Sequence, residues 1–286
     1  MSFKLGVLLI HGIGNQAATY ADAMIEELKE RVQRLGSDPQ EICLLPVWWA
    51  PILGERETAL LRYLSDGHDL RWMPLRRFVV QTLADAIAYQ DTPTSGDQIN
   101  VYHEIHNKIG ETLRALRARM RSGLPDDAPE VPLVVIAHSL GCHMISNYIW
   151  DVRKAGAPDA FERFETLSGI VTFGCNIPLF TLAYTNLEPI AFPTPGIERY
   201  FPAATPAREI ADVTKWLNFY DADDVLGYPL RPLDPKYAAT VSEDIPVNAG
   251  GLFSSWNPAS HTAYWTDNDV TKPVADLLHR TLQLMR

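Results

Sequence analysis

Val131-Pro132-Leu133-Val134-Val135-Ile136-Ala137-His138-Ser139-Leu140-Gly141 decides how this chain is read. The β-branched run Val134-Val135-Ile136 has the look of a short buried strand, and it stops at Ala137-His138-Ser139-Leu140-Gly141. A helix-like segment, Cys142 to Arg153, begins at once. Strand, tight turn and helix follow one another with a serine at the apex. So sharp a turn holds the Ser139 hydroxyl clear of the backbone and tolerates only small residues two positions away, here Ala137 and Gly141. The helix behind it aims free N–H groups and a positive dipole end at any developing oxyanion. Alanine stands at the first small position, where glycine is usual. The competing reading is an ordinary strand-to-helix turn with an incidental serine.

Working outward, Leu5 to Ile10 reads as a first buried strand ending in His11-Gly12-Ile13-Gly14-Asn15. Ala17 to Leu35 has helical periodicity and stops at Gly36. Glu41 to Trp49 is a second strand. About 51–90 carries helical apolar spacing (Leu75, Phe78, Val79, Leu83, Ala86, Ile87) that a minimal strand–helix–strand repeat does not need, and is expected to be an insertion. Ile99 to Met120 is a long amphipathic helix leading to the serine turn. Beyond it come a strand over Leu167 to Cys175 and then about 177–210, a second expected insertion holding Pro178, Pro189, Pro193, Pro195, Pro202 and Pro206 among aromatic residues. So many prolines exclude a regular helix or central strand there. Lys215 to Tyr220 is the next strand and Val270 to Met285 a closing helix. Alternating strands and helices predict a mostly parallel central sheet covered on both faces, within one α/β domain over 1–286.

The 286 residues suffice for one large core. No stretch approaches the roughly 18 uncharged apolar residues of a membrane span, and the first strand starts too early to leave room for a signal peptide. Cys43, Cys142 and Cys175 have no regular spacing, which fits reduced buried thiols better than disulfides or zinc. A cytoplasmic location is therefore expected. The net charge of −10 disfavours nucleic acid and anionic membrane as partners.

A serine nucleophile needs a base, and the base needs an acid to orient it. On a parallel sheet these come from loops after later strands, in the order serine, acid, histidine. Trp216 to Tyr220 runs into Asp221-Ala222-Asp223-Asp224-Val225-Leu226-Gly227, so three aspartates compete as the acid or as turn-formers. Among the histidines, His11 and His138 flank tight turns and come too early in the chain to be the base. His143 is on the helix after Ser139. His103-Glu104-Ile105-His106 has i, i+3 spacing rather than the i, i+4 of a zinc-protease helix, and reads as a solvated helix face. His68 lies in the first insertion with nothing convergent in sequence, and His279 is on the closing helix. His261, in Pro258-Ala259-Ser260-His261-Thr262-Ala263-Tyr264-Trp265, follows the acid cluster and is the candidate base. Two backbone donors for an oxyanion are expected at Leu140 and Ile13. The rival for the first loop is a dinucleotide site, Gly12-x-Gly14-x-x-Ala17. It needs an acidic residue at the end of the second strand, where the chain reads Val47-Trp48-Trp49-Ala50.

His11-Gly12-Ile13-Gly14, Ala137-His138-Ser139-Leu140-Gly141, Asp223-Asp224-Val225-Leu226 and Ser260-His261-Thr262-Ala263-Tyr264 together resemble motifs of the α/β-hydrolase superfamily, in particular its lipase- and esterase-like serine hydrolases. Val171-Thr172-Phe173-Gly174 resembles the strand between serine and acid in many lipases. The resemblance spans residues 5 to 285 apart from the two insertions, which it implies are cap-like. It implies Ser139 as nucleophile, His261 as general base and acid, and Ile13 and Leu140 as oxyanion donors. Such acids are often followed at +2 by Val or Ile, which selects Asp223 (Val225 at +2) with Asp224 second. No cofactor or metal is implied. The expected substrate is a small-molecule carboxylic ester, lipid-like or otherwise apolar, given Trp48, Trp49 and the two insertions. A hydrolase-like scaffold that binds a partner or acyl ligand without turnover, and a thioesterase or acyltransferase with the same residues, are the alternatives.

Overall fold

Both faces of β1 (Leu5–Ile10) are buried because both carry apolar side chains in alternation. Leu8 and Ile10 join one core, while Leu5, Val7 and Leu9 join a second on the opposite face. The computed structural model describes residues 2–286 except 69, 81–83, 92–99, 158, 184 and 250–259. The strands are β1, β2 (Ile42–Val47), β3 (Leu133–His138), β4 (Leu167–Phe173), β5 (Lys215–Asp221) and β6 (Glu243–Val247). They form one sheet in the order β2-β1-β3-β4-β5-β6, every neighbouring pair parallel.

In chain order the helices are α1 (Asp22–Arg34), α2 (Pro51–Ser65), α3 (Met73–Val79), α4 (Asp85–Ala88), α5 (Val101–Arg121), α6 (Leu140–Ala155), α7 (Ile177–Phe180), α8 (Ala207–Val213), α9 (Pro235–Thr240), α10 (Ser260–Ala263) and α11 (Asn268–Leu284). Helices α5 and α6 cover one face through Ile105, Ile109, Leu113 and Ile145. Helices α1 and α11 cover the other through Met24, Leu28, Val274 and Leu278. This is the mostly parallel α/β sheet with helices on both faces expected from the sequence. The chain leaves β1 toward β2 and leaves β3 toward β4, in opposite directions from adjoining strands, which is where a doubly wound sheet places its ligand crevice. The His11-Gly12 loop and the Ser139 turn both start there.

Some boundaries differ from expectation. Helix α1 begins at Asp22, since 17–21 are taken up in a turn closed by Tyr20 N–H to Ala17 O (3.0 Å). β2 ends at Val47, before Trp48 and Trp49. Strand β6 has no counterpart in the sequence reading. It lies at the sheet edge, partly exposed and with Pro246 inside it, so it lacks the apolar run that marks a central strand. Of the apolar residues expected to form a helical stripe over 75–87, Leu75, Val79 and Ile87 are exposed. Leu83, Ile99 and Tyr184, used in the sequence reading, lie outside the described residues, as do Pro258 and Ala259.

Candidate active site

Ser139 sits between the last residue of β3 and the first of α6 with φ +54° and ψ −126°. A non-glycine residue rarely adopts positive φ. The neighbours enforce it: the Ser139 N–H donates to Phe173 O of β4 (3.1 Å), and its carbonyl accepts from Cys142 N–H (2.9 Å) as α6 begins. Glycines let the two loops interlock. A Cβ on Gly12 would fall 2.4 Å from Ser139 Cβ, and one on Gly141 would fall 2.5 Å from His11 O. The small residue at position 141 is therefore needed for contact with the β1 loop as well as for the turn itself.

The Ser139 Oγ lies 2.6 Å from His261 Nε2, and His261 Nδ1 lies 2.8 Å from Asp224 Oδ2. All three residues are buried, Ser139 completely. Burial pushes the Asp224 carboxyl up. The hydrogen bond and charge of His261, the Leu226 N–H and the Tyr264 hydroxyl outweigh that and leave it below the ordinary carboxylate value. An ionised Asp224 only accepts, so His261 carries its proton on Nδ1 and presents a bare Nε2 to the Ser139 hydroxyl. The His261 backbone is held in turn by His138, whose Nε2–H donates to His261 O (2.6 Å).

Asp224, and not Asp223, meets His261. β5 ends at Asp221, which is buried and acts as the turn-former: Oδ1 accepts from Asp223 N–H (2.8 Å) and Oδ2 from Ala249 N–H (2.6 Å). Asp223 thereby becomes an exposed corner, and Asp224 folds back beneath it with Oδ1 on Leu226 N–H (3.0 Å). Val225 is 75% exposed, so nothing packs on the side chain whose position had selected Asp223.

Leu140 is the first residue of α6, so its N–H is one of the free donors at a helix start. In the β1 loop, His11 Nδ1 bonds Gly12 O at 2.8 Å. A carbonyl only accepts, so Nδ1 holds the proton. Carbonyl and N–H point oppositely across a trans peptide, so fixing the Gly12 carbonyl on His11 turns the Ile13 N–H the other way. His11 stacks on Trp49 (centroids 4.7 Å, 9° between planes), whose Nε1–H donates to His11 O (3.0 Å). Burial pushes His11 down to about 4, with the Gly12 bond opposing, so the ring is neutral near pH 7. Trp49 is therefore a support under the loop and is closed to substrate. Phe192 and Phe201 of the proline-rich stretch are likewise core residues.

Three residues have partners that the sequence reading did not give them. Tyr264 donates its hydroxyl to Asp224 Oδ2 (2.9 Å) and accepts the Asp221 N–H (2.8 Å). It lies three residues after His261, one helical turn away, which is the signal that could have found it. His138, set aside as a base because it comes too early in the chain, has the His261 carbonyl as its partner. His106, read as solvated, is buried: Tyr89 Oη lies 2.8 Å from its Nε2, and burial pushes it down to about 3, whereas His103 is exposed. Among the described residues no three His, Cys, Asp or Glu side chains converge as metal ligands, and no helix is long and apolar enough to cross a membrane. The three cysteines are free and buried.

No protein-family model matches this chain, and no curated protein matches it in sequence. Among solved structures, that of a soluble variant of monoglyceride lipase from Saccharomyces cerevisiae, in complex with a substrate analog, is similar to it with a TM-score of 0.40 and 11% sequence identity. That similarity covers 100% of this chain and 88% of the other.

Proposed function

We propose that this protein is a serine hydrolase that cleaves carboxylic esters through an acyl-enzyme. The observation carrying the reading is the hydrogen-bonded chain from Ser139 Oγ through His261 to Asp224, with the serine at a strained strand-to-helix apex. Ser139 Oγ attacks the acyl carbon while His261 Nε2 takes its proton. Asp224 holds the imidazole in the required tautomer and stabilises the imidazolium. The N–H groups of Leu140 and Ile13 receive the oxyanion. His261 then gives its proton to the leaving alkoxide, and water attacks the acyl-enzyme by the same route to release the acid. Tyr63, Leu64, Trp72, Leu75 and Ile87, exposed on the stretch between β2 and α5, support an ester with an apolar group. In this reading the chain is one domain, with about 51–90 and 177–210 as insertions on it.

A fluorophosphonate probe with peptide mapping tests the core of the reading. Labelling is expected at Ser139 and absent in Ser139→Ala; labelling elsewhere, or none in folded protein, overturns it. One observation favours a second reading, a scaffold that binds an acyl ligand without turnover: Ser139 is fully buried. A p-nitrophenyl ester series of rising chain length separates the two, since only the hydrolase turns over. Parallel thioester substrates distinguish an esterase from a thioesterase using the same residues.

A further inference from the structure

Besides the turn-forming Asp221, two carboxyls outside the Ser139–His261–Asp224 chain are buried with no cation paired to them among the described residues. Asp85 opens α4 and is 1% exposed; Glu57 is on α2 and is 6% exposed. The groups acting on Asp85 are Glu57 and the Gly14 N–H. Glu57 is the neighbouring carboxyl whose charge acts on Asp85. Two neighbouring buried carboxyls disfavour carrying two negative charges at once. Asp85 Oδ1 and Glu57 Oε1 have no hydrogen-bond partner among the described residues. Burial first, then Glu57, push the Asp85 carboxyl up to about 8, against the pull of the Gly14 N–H.

The other Asp85 oxygen, Oδ2, accepts the Gly14 N–H at 2.8 Å across 71 residues of sequence. That N–H belongs to the Ile13–Gly14 peptide, whose carbonyl edge accepts from Gln16 Nε2 (3.5 Å). The preceding Gly12–Ile13 peptide is held by His11. Both peptide planes on either side of the Ile13 Cα are therefore tied, one from below by the β1 loop and one from the chain between β2 and α5. Helix α2 also lies directly on this loop, since a Cβ on Gly54 would sit 3.1 Å from Asn15 Oδ1. Apolar side chains would fill the space at lower desolvation cost. What a carboxyl adds is an acceptor aimed at one backbone amide.

We infer that Asp85, beside Glu57, is a positioning residue that holds the Ile13 amide in place to meet the oxyanion. The inference rests on the serine-hydrolase reading above. It makes the stretch between β2 and α5 part of the catalytic machinery, because a backbone donor stabilises an oxyanion only when its orientation is set beforehand.

The test compares Asp85→Ala, Asp85→Asn and Glu57→Gln with wild type in three measurements. These are kcat and KM on p-nitrophenyl butyrate, the thermal unfolding midpoint, and amide hydrogen exchange of the peptide containing Gly14. Asp85→Ala is expected to lower kcat about ten- to a hundredfold with KM within about threefold, and to speed exchange at Gly14. Asp85→Asn keeps an acceptor for Gly14 and is expected to stay within about threefold of wild type, as is Glu57→Gln. Unchanged kcat in Asp85→Ala overturns the inference, as does an equal fall in Asp85→Asn. If Asp85→Ala does not fold, near-wild-type kcat and Gly14 protection in Asp85→Asn uphold the inference, and loss of either overturns it. Wild-type protein that turns over no ester and takes no fluorophosphonate overturns the hydrolase reading instead. The Gly14 exchange rates then decide the tether alone, faster in Asp85→Ala if it exists and equal if it does not.

Discussion

Asp224 Oδ2 is shared between His261 Nδ1 and the Tyr264 hydroxyl, and the same hydroxyl accepts the Asp221 N–H. Tyr264→Phe leaves a buried N–H without its acceptor and the carboxylate without one donor. It is expected to destabilise the fold by about 1–3 kcal/mol and to reduce kcat, measured by urea unfolding and p-nitrophenyl ester turnover. Asp224→Asn is expected to lower kcat by roughly a thousand- to ten-thousandfold, because an amide can donate to Nδ1 and stabilise the wrong imidazole tautomer. Asp223→Asn, at an exposed corner, is expected to stay within about twofold of wild type. Equal losses in the two variants would remove Asp224 from the orienting role. Ser139 and His261 were legible as candidates because turn chemistry and chain order are one-dimensional signals. The choice between Asp223 and Asp224 was not, since it depends on Asp221 drawing the Asp223 N–H and the distant Ala249 N–H onto its own carboxylate.

Secondary-structure elements were legible wherever period and burial agree. β1 and β3 alternate between two buried faces, so an unbroken apolar run marks them at once. β6 and the exposure of Leu75, Val79 and Ile87 escaped for opposite reasons: the first has too little apolar character for a strand, and the second sets residues of a buried helix's pattern on the surface. Between elements, the decisive contact is the meeting of the β1 loop with the start of α6. Gly12→Ala would place a methyl group 2.4 Å from Ser139 Cβ, so one loop has to retreat. The strain is expected to cost about 1–3 kcal/mol of stability, and a displacement near 1 Å to lower kcat about a hundredfold. A variant with unchanged melting temperature and unchanged turnover would show that the two loops do not touch as described.

Across the whole molecule, the buried titratable groups pull stability in two directions with pH. Burial pushes His11 and His143 down to about 4 and His106 to about 3, and holds His138 well below its ordinary value. These four bases take up protons near pH 6.5 once the chain unfolds but resist them when folded. Their contribution is therefore present above about pH 6.5 and is lost as pH falls toward 4. Asp85 has the opposite sign. Its folded value of about 8 lies above the ordinary 3.8, so its contribution is full below about pH 4 and is lost as pH rises to 8. Between pH 4 and 6.5 four histidines oppose one carboxyl, and stability should climb with pH. From 6.5 to 8 Asp85 acts against the folded state with the four histidines already neutral, so stability should decline gently. Urea unfolding at pH 4.5, 6.5 and 8.0 is expected to show the highest midpoint at 6.5. Asp85→Asn carries no titrating group at that position, and should keep the acid loss while abolishing the decline from 6.5 to 8.0. A variant that declines as steeply as wild type over that interval would mean that Asp85 is already ionised in the folded protein. The protonated form of Asp85 that eases its burial beside Glu57 would then be absent from the folded protein.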